Sequence, residues 1–480
     1  KTCTVALVFA QLNTEGQCHG LHAFVVPIRD PKTLLPYPGI IVGDIGEKIG
    51  LNGIDNGFIM FQNYRIPREN LLNRTADVTP EGEYESSFSD PGRILGAALE
   101  NLSAGRVGIM QESANNLVSA VTIAVRYAAI RTQFGPSNHQ ELPIIEYQLH
   151  QWRLFPYVSA AVEMSHTETA IDNLREMISE IHAIISATKP LITWTCRDAI
   201  QECREACGGH GYLKAARFGD LRNTVDPCVS YEGDNNVLVQ QTSNWLLRQW
   251  HSVLEEGQVH SPLSTCSFLK DHLVILKFKF NGSTVQDVKN IDFIISCYKW
   301  LITYLVKITH EKQTALLAYS KCKFTARNNS QVYKAAILSR VYGEFVALMY
   351  YWKRINRNDV EISLKPILET VGILYGLSCL DKHLVYFYQG SFANNHSLSE
   401  LVKDGILDVC SLLKSDVVAV VDALAPSDFV INSILGKSDG KLYENIQAEF
   451  FNNPGAMSRP SWWREIKVDD APDLKIRSKL

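Results

Sequence analysis

The chain has 480 residues, 46% of them apolar, which is too many for one ordinary core, so two or three packed domains are expected. Lysine and arginine total 47 against 51 aspartates and glutamates, a net −4, and no basic excess is left over for bulk nucleic-acid binding. Eleven cysteines at irregular spacings form neither a zinc pattern nor a disulfide framework. They read as small thiols in a reducing compartment, and no metal site is expected.

Residues 1 to about 75 read as β. Thr4 to Leu12 and Gly20 to Ile28 are β-branched and apolar, with Pro27 marking a strand end or edge. Gly39 to Gly43 and Gly57 to Tyr64 follow. Turn chemistry separates the runs at Asn13-Thr14-Glu15-Gly16, Asp30-Pro31 and Leu51-Asn52-Gly53. No helical crossover is long enough for a parallel sheet, so an antiparallel sheet or barrel is expected. The first strand begins at residue 1, which leaves a sheet edge open. No secretory leader pattern is present, so the triplet Asn73-Arg74-Thr75 reads as a chance match to a glycosylation site.

Residues 76 to 90 are polar and acidic, a linker. The period then becomes helical, with a stripe of Leu95, Leu99, Leu102, Ile109, Leu117, Ala120 and Ala124. Arg106 falls on that stripe and either snorkels or pairs with something buried. This helix is expected to end near Gly135-Pro136. Two more long helical patterns cover Pro143 to Glu176 and Ile178 to Ala206, with Pro156 and Pro190 inside them. With Asn236 to Trp250 they make a four-helix bundle. Residues 251 to 285 read as connecting, and Val288 to Leu424 is again helical in several pieces. No apolar run is long enough to span a bilayer. The terminal tripeptide Ser478-Lys479-Leu480 is of the kind read by the peroxisomal import receptor, which predicts a peroxisomal matrix protein.

Two stretches invite chemistry. Cys207-Gly208-Gly209-His210-Gly211 follows a helix; one glycine suffices as a cap, and three in four positions also suit close backbone approach to a ligand. Glu232, in Tyr231-Glu232-Gly233-Asp234-Asn235, is either a helix-dipole acid or a general base. Gly436-Lys437-Ser438 resembles the end of a P-loop, but Ile431 stands where its first glycine is needed. There is no Gly-x-Ser-x-Gly elbow and no Gly-x-Gly-x-x-Gly fingerprint, so neither a hydrolase elbow nor a Rossmann domain is expected.

In this order the motifs resemble the acyl-CoA oxidase and acyl-CoA dehydrogenase flavoprotein superfamily. The residues that carry the resemblance are Gly39-Ile40-Ile41-Val42-Gly43-Asp44-Ile45-Gly46, Asp55-Asn56-Gly57, Tyr64-Arg65-Ile66-Pro67-Arg68-Glu69-Asn70, Arg131-x-Gln133-Phe134-Gly135, Glu205-Ala206-Cys207-Gly208-Gly209-His210-Gly211-Tyr212 and Tyr231-Glu232-Gly233-Asp234-Asn235-Asn236. The helical region after about residue 285 is similar to the peroxisomal oxidases, and in detail to their branched-chain (pristanoyl-CoA) members. The implied fold is α+β and mostly α. It has a partial antiparallel β domain (1–75), a FAD-binding and catalytic helical bundle (76–255), a linker (256–285) and a C-terminal helical oxidase domain (286–480).

The resemblance implies FAD-dependent oxidation of an acyl-CoA to a trans-2-enoyl-CoA, the first step of peroxisomal fatty acid β-oxidation, with O2 reduced to H2O2. Glu232 is implied as the base that takes the Cα proton, helped by hydrogen bonds to the thioester carbonyl, one of them from its own backbone N–H. A dry site is implied to raise its pKa. Arg131, Gln133 and Phe134 are implied to contact FAD, often that of a neighbouring subunit, which makes a homodimer the expected assembly. Gln151, Arg153, Gly208, Gly209 and Asp234 are implied to be further FAD contacts, and Arg106 and Tyr231 substrate contacts. Family members carry an N-terminal helical domain and the first part of the β domain, with a Thr-Glu-x-x-x-Gly flavin segment, ahead of the point where this sequence starts. A truncated chain with the base and part of the cofactor site is therefore expected. The alternatives are a dehydrogenase that passes electrons to a flavoprotein, or a non-catalytic protomer that partners a full-length subunit.

Overall fold

The computed structural model describes residues 2–74, 76–87, 91–137, 140–165 and 174–466, the side chains of 91–102, 174–176 and 333 excepted. The tripeptide Ser478-Lys479-Leu480 lies outside the described residues.

Strand-forming residues come first. β1 (Val5–Thr14) pairs antiparallel with β2 (Gln17–Pro27), and β3 (Ile40–Asp44) with β4 (Gly57–Phe61). The expected antiparallel pairing is present as separate two-stranded ladders; the described residues close no barrel. The first two strands turn at Glu15 and Gly16, both at positive φ. A small apolar cluster of Val26, Ile28 and Ile40 fixes the two hairpins together. The polar stretch expected as a linker contains a third hairpin, β5 (Ala76–Val78) with β6 (Tyr84–Ser86). Its turn closes through Thr79 N–H to the Glu83 carbonyl at 2.8 Å, with Gly82 at φ 97°. Polar composition hid it, because turn chemistry rather than apolar alternation forms it.

α1 (Pro91–Ile130) is the longest element. Ile109, Leu117, Ala120 and Ala124 of its expected stripe are buried, while the side chains of Leu95, Leu99 and Leu102 fall outside those described. The helix stops at Ile130, not at Gly135-Pro136. Thr132 and Gln133 pair with Pro143 and Leu142, forming β7 (Thr132–Ser137) and β8 (Gln140–Pro143). A β-branched residue and a facing strand outcompete one more helical turn there.

α2 (Gln148–Ser165) and α3 (Leu174–Ala206) run through Pro156 and Pro190 without a break. Then come α4 (Phe218–Val225) and α5 (Asn235–Glu256). Asp234 caps α5 by accepting from the Asn236 N–H at 2.8 Å, and Gly257 ends it at φ 68°. The expected connecting stretch is better tied than its composition suggests. The buried Glu180 carboxylate accepts from Ser261 Oγ at 2.6 Å, Leu263 N–H at 2.8 Å and Thr265 N–H at 3.2 Å.

The helical series continues with α6 (His272–Ile275), α7 (Val285–Val288), α8 (Ile291–Ser320), α9 (Lys323–Ser330), α10 (Ala336–Ile355), α11 (Lys365–Asp381), α12 (Leu384–Gln389), α13 (Ser397–Leu413), α14 (Val417–Leu424), α15 (Asp428–Ile431) and α16 (Leu442–Asn452). Residues Ile362–Asp381 are long and apolar enough by composition to cross a bilayer, contrary to expectation. Here Val371, Leu374, Tyr375, Leu377 and Leu380 of that stretch are buried against other helices. One continuous apolar core joins the two helical regions, running from Leu117 and Phe155 through Trp245 to Trp300, Tyr342 and Leu442. All eleven cysteines are free thiols and eight are buried, Cys196, Cys203 and Cys207 among them.

Candidate active site

The loop between α4 and α5 reverses direction at Glu232 (φ 53°) and Gly233 (φ 106°). Two successive left-handed residues are costly for any side chain but glycine, so surrounding contacts must hold Glu232 there. α1 supplies one. Arg106 is 5% exposed and donates from Nε to the Glu232 carbonyl at 2.7 Å. Its position on the apolar stripe is thereby explained: the guanidinium is paired with buried backbone. α3 supplies another. Lys189 is fully buried and donates from Nζ to the Gly233 carbonyl and to Asn235 Oδ1, each at 2.9 Å. The Glu232 carboxylate rests on Gly105 of α1; a Cβ added there would lie 2.7 Å from its Cδ.

The site is polar and dry at once. Glu232 Oε2 and Arg106 Nη1 are buried without a protein partner, and the Glu232 N–H has no acceptor among the described residues. Burial pushes the Lys189 ammonium down to about 8, with the Cys228 thiol opposing. Burial also lowers Arg106, against the pull of Glu232. Tyr231 is about one-third exposed; its hydroxyl lies 3.2 Å from Cys228 Sγ and 3.4 Å from Glu112 Oε2, and burial raises its pKa strongly.

A second cluster gathers at the far end of α1. Arg131 donates from Nη1 to the Tyr443 hydroxyl at 3.0 Å. Tyr127, one turn earlier, lies 3.1 Å from His210 Nδ1. Burial pushes the Tyr127 hydroxyl up to about 12, and burial followed by Arg131 lowers His210. Gly208 (φ 57°) and Gly209 have open space where a Cβ would stand, and the Phe134 ring is 82% exposed. Gln133 is held in the β7–β8 ladder. Gln151 is buried and donates from Nε2 to the Ile145 carbonyl at 2.9 Å, while Arg153 pairs with Glu202.

The eleven implied residues therefore do not form one site in a single chain. Glu232, Arg106, Tyr231 and Asp234 meet at one place; Arg131, Phe134, Gly208 and Gly209 meet at another. Arg106 and Arg131 are 25 residues apart on α1 and its end, about 38 Å at 1.5 Å per residue. Sequence reasoning missed Lys189 and Gly105. Lys189 had a readable signal, a lone cation in the apolar stretch Ala183 to Trp194; Gly105 had none, because nothing local marks a helical glycine as a seat for a distant carboxylate.

Comparison with known proteins adds the following. The acyl-CoA oxidase C-alpha1 domain model matches residues 100–247 and the acyl-CoA oxidase model residues 290–469. Human peroxisomal acyl-coenzyme A oxidase 3 is 43% identical over 499 aligned residues, covering 100% of this chain and 71% of the human one. The crystal structure of acyl-CoA oxidase 3 from Yarrowia lipolytica superposes with a TM-score of 0.85 at 27% identity, over 98% of this chain and 70% of that one. Acyl-CoA oxidase 1 of Caenorhabditis elegans, solved with FAD and ATP, gives a TM-score of 0.81 at 27% identity, over 96% and 69% of the two chains.

Proposed function

The chain belongs to the acyl-CoA oxidase family, and from that premise we propose that it performs the first step of peroxisomal fatty acid β-oxidation. The substrate is an acyl-CoA, with branched-chain acyl groups favoured by the resemblance of the helical region after about residue 285 to the branched-chain oxidases. The product is the trans-2-enoyl-CoA, and O2 is reduced to H2O2. The relatives named peroxisomal and the terminal Ser478-Lys479-Leu480 support a peroxisomal matrix location.

One observation carries the reading: a glutamate held in left-handed backbone, one carboxylate oxygen buried and unpartnered, its carbonyl tied down by Arg106. A proton beside a thioester is very weakly acidic, so the base must be fixed and the developing enolate stabilised. Glu232 takes the proton from Cα. Its own N–H, lacking an acceptor among the described residues, is the chain's donor to the thioester oxygen. Gly105 leaves room for the carboxylate.

The residues present fit a flat, phosphate-bearing cofactor such as the FAD of the C. elegans relative. Gly208 and Gly209 offer an open backbone surface, Phe134 an exposed ring and Arg131 a cation. FAD, when bound, supplies the hydride acceptor for Cβ and the route of electrons to O2. Arg131 stands about 38 Å along α1 from Arg106, the residue that holds the Glu232 carbonyl, more than an extended flavin dinucleotide covers. That span supports a homodimer in which Arg131, Gln133, Phe134, Gly208 and Gly209 of one subunit serve the cofactor facing Glu232 of the other. The test is peroxide formation under air with straight and 2-methyl-branched acyl-CoA substrates, for the protein and for Glu232→Gln. Loss on the order of 10³-fold in the variant is expected; retained turnover removes Glu232 from the base role, and dehydrogenation without peroxide removes the oxidase chemistry.

A further inference from the structure

The loop that carries Glu232 is held from two sides. Arg106, from α1, takes the Glu232 carbonyl at 2.7 Å, and Lys189, from α3, takes the next carbonyl, Gly233, at 2.9 Å. Lys189 also donates to Asn235 Oδ1 at 2.9 Å, so the same ammonium grips the first residue of α5. The amide of Asn235 in turn donates to Thr193 Oγ1 at 2.9 Å, and the Thr193 hydroxyl donates to the Lys189 carbonyl one turn back at 2.9 Å. The circuit closes on α3. Lys189, Thr193 and Asn235 are all at most 1% exposed.

A fully buried lysine is costly, and fixing a surface helix would not require one. Among the described residues no carboxylate forms an ion pair with Lys189; its acceptors are a backbone carbonyl and a side-chain amide. What the arrangement achieves is local: two consecutive carbonyls of a left-handed turn point at fixed cations. The intervening backbone is thereby set, and with it the direction of the Glu232 side chain.

We propose that Lys189 is a positioning residue for the Glu232 base, forming with Arg106 a two-cation clamp on the Glu232 and Gly233 carbonyls, with Asn235 and Thr193 as its supports. The proposal rests on the reading of Glu232 as the base. The charged groups that face Glu232 are Arg106 from α1, Lys189 from α3 and Asp234 at the start of α5, with Glu112 of α1 reaching the neighbouring Tyr231 hydroxyl.

The test compares the protein with Lys189→Met and Lys189→Arg. In Lys189→Met, kcat falls on the order of 10²-fold with KM changed far less. Lys189→Arg, which keeps a cation at this place, restores most of the lost kcat. Amide hydrogen exchange across residues 232–236 quickens about tenfold or more in Lys189→Met, a readout that does not depend on turnover. A folded Lys189→Met with kcat and local exchange like the parent overturns the proposal, even if its melting temperature drops. If Lys189→Met does not fold, the isosteric Thr193→Val reports instead: local exchange faster and kcat lower at similar KM are expected, and no change in either overturns the clamp. A parent without turnover, or an active Glu232→Gln, counts against the base assignment; the exchange comparison still decides whether Lys189 holds the loop.

Discussion

Arg106 Nε donates to the backbone carbonyl of Glu232 at 2.7 Å, joining residues 126 positions apart. The guanidinium reaches sideways from α1, and its Nη2 lies 3.3 Å from where a Cβ would stand on Gly233. Arg106→Lys keeps the charge but loses the planar fork, and a compact ammonium does not reproduce the Nε contact to the Glu232 carbonyl. A kcat about 10- to 100-fold lower is expected, with a stability loss of about 1–3 kcal/mol from the unsatisfied carbonyl. Steady-state kinetics and urea unfolding on the same preparation check both.

Gly105→Ala separates catalysis from stability by sign. An alanine in a helix interior is favoured over glycine by about 1 kcal/mol, yet its Cβ would fall on the Glu232 carboxylate. The variant should melt within a few degrees of the parent and lose at least about tenfold in kcat. Unchanged kcat in a folded Gly105→Ala would show that the carboxylate works from another position.

His150 is 8% exposed, its Nε2 has no partner among the described residues, and burial with Arg153 beside it pushes its pKa down to about 4. The folded state thus binds fewer protons than the unfolded chain between about pH 4 and 6.5. The stability contributed by keeping the ring neutral is complete above 6.5 and is lost as pH falls through that window. About 2 kcal/mol should separate pH 7 from pH 5. Urea midpoints at the two pH values measure it, and His150→Phe should flatten the difference by that amount.

Arg126 fastens α1 to the C-terminal helices. It is 8% exposed, pairs with Asp422 at 2.8 Å and Asp428 at 3.1 Å, and donates to the Gly436 carbonyl at 2.5 Å. Arg126→Met removes the cation from both carboxylates and the donor from the Gly436 carbonyl, while Asp428 keeps the Ser438 N–H and hydroxyl. Both acids are partly exposed, so a cost of about 2–4 kcal/mol is expected, toward the low end of what breaking a buried pair costs. Limited proteolysis should cut after about residue 425 sooner in the variant than in the parent.

Much of the helical plan was legible because apolar spacing carries it. Asn236 to Trp250 lies within α5, and the glycine after α3 stands at positive φ. The failures share a cause. The hairpins at 76–86 and 132–143 are held by turn hydrogen bonds and short ladders, which leave little trace in a hydrophobic period. Glu232 could be named from its motif, but the groups that orient it come from α1 and α3, 126 and 43 positions away. Nothing within a local window connects Gly105, Lys189 and Glu232. The split of the implied cofactor residues into two places was equally hidden, since a list of motifs carries no distances until the helix between them is built.

The unbroken helical run from Arg106 to the end of α1 acts as a gauge block. One residue inserted between them would turn one end about 100° relative to the other and lengthen the rod by about 1.5 Å. The clamp on Glu232 and the tether at Tyr443 would then face different neighbours. A seven-residue change, close to two whole turns, nearly restores the facing but shifts the ends by about 10 Å. Length changes are thus disfavoured in this segment, which is buried on every side from Leu117 to Ala128, and a library that varies helix length here would report directly on how strictly the two ends must stay in phase.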